Sequence, residues 1–210
     1  MQIFSMMILS AGILGLSSCS DFLDQNSPSE MNQTTVYNST YYTSLRVNKL
    51  YGGMGQDRTY SQDWSITTNI NSDIELVDGL GNGAYEAGNR GAGNYNVSTG
   101  WSTLTDEWTA MYGIIEDAND IIEGIRQSPL FVEGNDSYQE MGRYLGEALT
   151  IRAMVYFDML RYWGDIPMKL ETSQPDLSNA FMAKTDRDVI MDTLMVDLEE
   201  ATKLLPWAGE

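Results

Sequence analysis

"GEALTIRAMVYFDMLRYWGDIPM", residues 146–168, decides how the chain folds. Apolar side chains recur through it at intervals of three and four, the repeat of an α-helix with one face turned inward. Extended back to Tyr138, the pattern places Met141, Tyr144, Leu145, Ala148, Ile151, Val155, Tyr156, Met159 and Trp163 on one broad stripe. Leu149, Arg152, Ala153 and Phe157 widen it, which implies a helix buried on most sides. Gly164 and Pro167 end it, since glycine suits the cap and proline cannot extend a helix. An arginine inside an apolar stripe needs a carboxylate or several carbonyls as partner. Arg152 and Glu147 are therefore read as a buried structural pair, and Asp165 as a residue that fixes a turn.

Three further helices flank this one. The first runs near Tyr37 to Tyr51, with Tyr41, Tyr42, Leu45, Lys49 and Gly52 along one side. The second spans about Leu104 to Arg126; Trp108, Met111, Tyr112, Ile115, Ala118, Ile122 and Ile125 carry its stripe, Thr105 or Ser102 caps it, and Pro129 follows it. The last runs from about Asp186 to Leu205, with Thr185 and Asp188 imitating a capping box. Its stripe is Val189, Ile190, Leu194, Leu198, Ala201 and Leu205, and Pro206 stops it. "AMVYF" satisfies the alanine-x-x-x-phenylalanine element of tetratricopeptide-type helix pairs, without a strict repeat. The expected fold class is all-α, built from tetratricopeptide-like hairpins. Between the first two helices the period is lost, and seven glycines fall between positions 79 and 100. So long an irregular insert in a compact domain is read as functional.

Composition narrows the chemistry. The chain has 210 residues, no histidine and one cysteine. The commonest general base and metal ligand is therefore missing, and one thiol forms neither an internal disulfide nor a thiolate metal site. A net charge of −18 argues against nucleic acid as a partner. No cofactor is expected. Asp73, Glu75 and Asp78 suit calcium-type oxygen ligation, but their spacing breaks the EF-hand pattern, and an exposed acidic loop is favoured.

The lone Cys19 has a different explanation. Residues 3–16, "IFSMMILSAGILGL", are shorter than the ~20 apolar residues of a membrane-spanning helix and fit the core of a secretory signal. Leu16-Ser17-Ser18-Cys19 then matches a lipobox. Small side chains admit the peptidase, and the thiol takes a diacylglycerol while the freed amine is acylated. Each buried methylene contributes ~0.8 kcal/mol, so two or three chains hold firmly. The expected organisation is a signal peptide over 1–18, a polar tether over 19–36 and a helical domain over 37–210.

With these stretches in hand, the chain resembles the SusD/RagB-like nutrient-binding outer-membrane lipoproteins. "CSDFLDQNSPSE", "EWTAMYGIIEDANDIIEGI" and the opening motif carry the likeness. In the last, Glu147, Arg152, Ala153, Tyr156, Phe157, Tyr162, Gly164, Asp165 and Pro167 fall where the family's motif has them. Members are much longer, so the chain is read as the N-terminal part of such a fold. The resemblance implies a surface-exposed binder anchored by lipid to the outer membrane. It implies a partner, a TonB-dependent SusC-like transporter, and an oligosaccharide or peptide ligand held by loops. Sugars need flat apolar platforms and polar fingers. Trp64, Tyr85, Tyr95 and Trp101 are the candidate platforms, and Asp78, Asn82, Asn89 and Arg90 the candidate fingers. Trp64 and Trp101 flank the insert's ends and are expected to pack, while Tyr85 is the favoured contact. The alternatives are a secreted carboxylate-dependent glycoside hydrolase, which needs two suitably spaced carboxyls, and a protein-binding helical scaffold.

Overall fold

The apolar spacing of the opening stretch closes into a 26-residue helix, Tyr138–Trp163, in a computed structural model. The structure describes residues 32–61, 64, 102–207 and 209. Within them five α-helices follow in order: α1 Gln33–Tyr37, α2 Thr40–Met54, α3 Ser102–Gln127, α4 Tyr138–Trp163 and α5 Arg187–Leu204. No strand occurs among the described residues; the one β-type contact is an isolated antiparallel bridge between Ile166 and Thr185. The all-α class stands. The Gly-rich insert, the proposed signal and residues 19–31 of the expected tether lie outside the described residues, while the last part of that tether is helical, opening α1 at Gln33 with Val36 buried.

Helix α4 is central because it has few polar residues to keep in water. Met141, Tyr144, Leu145, Ala148, Leu149, Ile151, Ala153, Val155, Tyr156 and Met159 are all buried. It packs against α2, α3 and α5. Each fully buried aliphatic side chain contributes roughly 1.5–3 kcal/mol of transfer free energy, so this helix supplies much of the core. Phe157 departs from expectation: it is 43% exposed and lies under the Arg161 guanidinium. Its position is on the flank of the stripe, among the residues that widen it. Gly164 ends the helix with φ of 72°, a conformation that favours glycine, and its N–H donates to the Leu160 carbonyl.

Helix α3 buries Met111, Ile115, Ala118, Ile122 and Ile125 as its period predicts, with Ile114 and Ile121 added. Thr105 sits inside the helix rather than at its cap. Helix α2 corrects the sequence reading more sharply. Its buried set is Thr43, Val47 and Leu50, while Tyr41, Tyr42 and Leu45 are exposed. The bulk of the tyrosines suggested a face, but the threonine is what faces inward. Its hydroxyl donates to the Ser39 and Val36 carbonyls, so burial leaves no polar group unpaired. Lys49 turns outward to Asp117 at 2.6 Å.

Helix α5 also shifts by one residue of logic. Asp186, not Thr185, caps it, accepting from the Asp188 N–H at 2.8 Å. Thr185 instead donates its N–H to Ile166 across the bridge. Val189 and Leu198 face solvent, and Asp197 takes a buried place beside Ile190, Leu194 and Ala201.

Two glycines of α3 separate packing from propensity. A Cβ on Gly124 would lie 2.0 Å from the Tyr37 ring, whereas one on Gly113 would meet nothing within 4 Å. Gly113→Ala is expected to stabilise the protein by ~1 kcal/mol through helix propensity. Gly124→Ala is expected to destabilise it by about 1–3 kcal/mol through overpacking against Tyr37. Urea unfolding of the two variants checks both signs.

Candidate functional site

The first question is what holds the segment between α4 and α5 in place, since side chains of α3 and α4 reach it repeatedly. Tyr112 donates its hydroxyl to the Pro167 carbonyl at 2.6 Å. Tyr156 donates to the Lys169 carbonyl at 2.8 Å and accepts from the Lys169 N–H at 2.6 Å. Burial pushes the Tyr156 phenol up to about 12, so it keeps its proton and can serve both bonds. Asn119 donates to the carbonyls of Lys169 and Glu171. Asp165 receives the Arg187 N–H at the start of α5 and lies 3.4 Å from Lys184. It therefore ties the turn to the next helix.

Arg152 stands behind this arrangement. It is 4% exposed and forms a fork with Asp197, Nε to one carboxylate oxygen and Nη2 to the other, both at 2.8 Å. Its Nη1 donates to Asn119 Oδ1 at 2.8 Å. The buried ion pair is as the sequence led us to expect, but its partner is not Glu147. Glu147 sits one turn ahead on the same helix and pairs with Arg143 at 3.5 Å. Burial pushes the Asp197 carboxyl above the usual carboxylate range, against the pull of Arg152. Sequence reasoning missed Asp197 and Asn119. The signal was present: Asp197 occupies a stripe position of α5 in register with Ile190, Leu194 and Ala201, and Asn119 adjoins Ala118 on the inner face of α3.

The C-terminal end of α4 carries an aromatic cluster. Trp64 packs on Tyr162 at 5.4 Å, on Trp163 at 5.8 Å and on Tyr60 at 6.2 Å between ring centroids. Trp108 meets the edge of Trp163 at 5.3 Å. Trp64 is 8% exposed, which gives it the packing role and removes it as a free sugar platform. Tyr85, Tyr95, Trp101, Asp78, Asn82, Asn89 and Arg90 lie outside the described residues, as do Asp73, Glu75 and Cys19. Their bounding residues are informative all the same. Trp64 precedes the segment, and α3 begins just after it at Ser102, six residues, or ~9 Å of helix, from Trp108. Trp64, just ahead of 65–101, thus belongs to the aromatic cluster, and Trp108 of the same cluster lies about one and a half turns into the helix that follows it.

Comparison with known proteins places this architecture. Residues 21–210 match the SusD-like family model described as starch-binding associating with outer membrane. The chain belongs to the SusD-like family. It is 28% identical over 200 residues to a SusD-like protein of Formosa agariphila, covering 90% of this chain and 35% of that one. A SusD-like protein of Bacteroides ovatus is 24% identical over 206 residues, covering 96% and 35%. In fold, the chain is similar to a SusD homologue of Bacteroides thetaiotaomicron, with a TM-score of 0.72 at 24% identity over 84% of this chain and 32% of that chain. It is also similar to a laminarin-binding SusD-like protein, with a TM-score of 0.66 at 22% identity over 80% and 34%. The chain spans about a third of the length of these relatives.

The Arg152 fork generates a direct expectation for this SusD-like chain. Asp197→Ala leaves a buried guanidinium without its carboxylate and should cost about 3–5 kcal/mol. The double replacement Arg152→Met with Asp197→Leu should recover most of that loss. Urea denaturation of the single and double variants measures both.

Proposed function

We propose that this chain binds oligosaccharide, or another nutrient, at the outer-membrane surface and delivers it to a TonB-dependent SusC-like transporter. Membership of a family described as starch-binding supports the ligand class. The laminarin-binding neighbour adds a second neutral glucan to the candidates. The observation that carries the reading is the packing of Trp64, just ahead of 65–101, against Tyr162 and Trp163 of the helical core. Binding residues are often carried on loops that a rigid scaffold positions. Here the scaffold is the α3–α4–α5 core, and the loop bears Tyr85, Tyr95 and Trp101 as platforms with Asp78, Asn82, Asn89 and Arg90 as hydrogen-bonding groups. Micromolar to millimolar affinity corresponds to about −8 to −4 kcal/mol, within reach of two stacked rings and a few paired hydroxyls.

The full-length protein in native gels containing soluble starch or laminarin should be retarded, with no new reducing ends in solution. Tyr85→Ala should weaken the retardation about tenfold, equivalent to ~1.4 kcal/mol. Release of reducing ends, abolished by a single Asp or Glu replacement, would instead establish the glycoside hydrolase.

Membrane attachment belongs to the same proposal and is tested separately. Cys19→Ala should move the protein from the membrane fraction to the soluble fraction. A variant that remains membrane-bound and unprocessed would refute lipidation at that residue.

A further inference from the structure

A cleft of about 270 Å³ opens between the first half of α3 and the α4–α5 connection. Its apolar floor is Trp108 with Tyr112, rings 4.9 Å apart and inclined at 50°. Neither ring is free to fold away. Trp108 is backed by the edge of Trp163, and Tyr112 is tethered through its hydroxyl to the Pro167 carbonyl. Its polar wall is an ion pair, Lys169 Nζ to Glu116 at 2.8 Å. Burial acts upward on the Glu116 carboxyl, but hydrogen bonds from Lys169 and Ser173 hold it below its ordinary value, so the pair is charged at neutral pH. Asn179 completes the lining, its side chain bridging the Thr172 carbonyl and the Gln174 N–H.

The lining matches one ligand chemistry. The face of either inclined ring offers an apolar surface against which one sugar ring can pack. The wall retains hydrogen-bonding capacity after its internal bonds are counted. Lys169 has three ammonium protons, of which Glu116 and Ser173 take two. Asn179 keeps a second amide proton, and the Glu116 oxygens keep lone pairs. Hydroxyls that both donate and accept are served without breaking the framework. The wall's charges cancel, and the chain's net charge of −18 repels anions. The cleft is also smaller than the ~300–1,000 Å³ of pockets that enclose drug-sized ligands, which suits one end of a chain.

We propose that this cleft is a carbohydrate subsite that takes a terminal uncharged sugar residue on the described lining of α3 and the α4–α5 connection. The proposal rests on the glycan-binding reading above, and its experiment separates the two. The full-length protein is labelled with ¹³C at its methionine methyl groups and titrated with maltohexaose and with laminarihexaose. Met182 lies at the rim of the cleft and is 42% exposed, so its methyl resonance reports occupancy. At least one of the sugars should shift it to saturation. Ala180→Trp, at an exposed lining position, should fill the cleft, abolish the shift and weaken binding severalfold without changing the melting temperature. Lys169→Met removes a donor without filling space and should weaken binding as well. If a hexasaccharide binds but the Met182 signal stays still and both variants bind as the parent does, the cleft proposal falls while the glycan-binding reading stands. If neither hexasaccharide binds, both fall.

Discussion

A guanidinium that cannot reach water organises this fold. Removing Arg152 from solvent carries a desolvation penalty of several kcal/mol, which only close and complete pairing offsets. The pairing here draws on three helices: Arg152 from α4, Asp197 from α5 and Asn119 from α3. Apolar packing alone tolerates small rotations of one helix against another. A planar fork with fixed donors does not. The triad therefore sets the relative register of α3, α4 and α5 more narrowly than the surrounding Ile and Leu side chains can.

The constraint passes outward through Asn119. Its amide oxygen accepts from Arg152 while its nitrogen donates to two backbone carbonyls of the α4–α5 connection. Tyr112 and Tyr156 add their own bonds to the same stretch. A segment with little regular structure is thus held at successive carbonyls by side chains of two helices. A second link works on the other side of the core, where Asp120 of α3 accepts from Tyr37, Gln33 and Arg46 and so draws α1 and α2 onto it. The tight approach of Tyr37 to Gly124 seals that contact, with no room for a methyl group between them.

Much of this was legible in residues alone. The periods of α3 and α4 are strong because nearly every inward position is apolar, and the family motif spans the second half of α4 and the turn after it. The errors share a cause. Hydrophobicity alone does not mark burial: Tyr41, Tyr42, Leu45, Phe157, Val189 and Leu198 fit the apolar stripes by type and spacing, yet they turn outward or sit on a flank. Meanwhile Thr43, Asn119 and Asp197 lie inside. A buried polar residue is visible in sequence only as a gap in an apolar stripe, and the gap does not name its partner. Glu147 is a carboxylate near Arg152 in sequence, yet it pairs with Arg143. The true partner lies 45 residues away and depends on how α5 returns across α4. Trp64 follows the same rule in reverse: an aromatic next to a glycine-rich stretch reads equally as platform or as anchor, and three ring neighbours decide for anchor.

Under the proposed function, that anchor bears on the affinity available to residues 65–101. Ordering a long segment costs conformational entropy, and any part of that cost met during ligand capture is subtracted from the binding free energy. Packing Trp64 into the aromatic cluster meets the cost of placing that residue during folding. Closure entropy rises only as the logarithm of loop length, about 0.6 kcal/mol per doubling. In closure entropy a long insert is therefore little worse than a short one. Trp108 and Trp163, which belong to the same cluster, also border or back the cleft beside α3. Packing that stabilises the cluster thus also fixes the floor of the cleft.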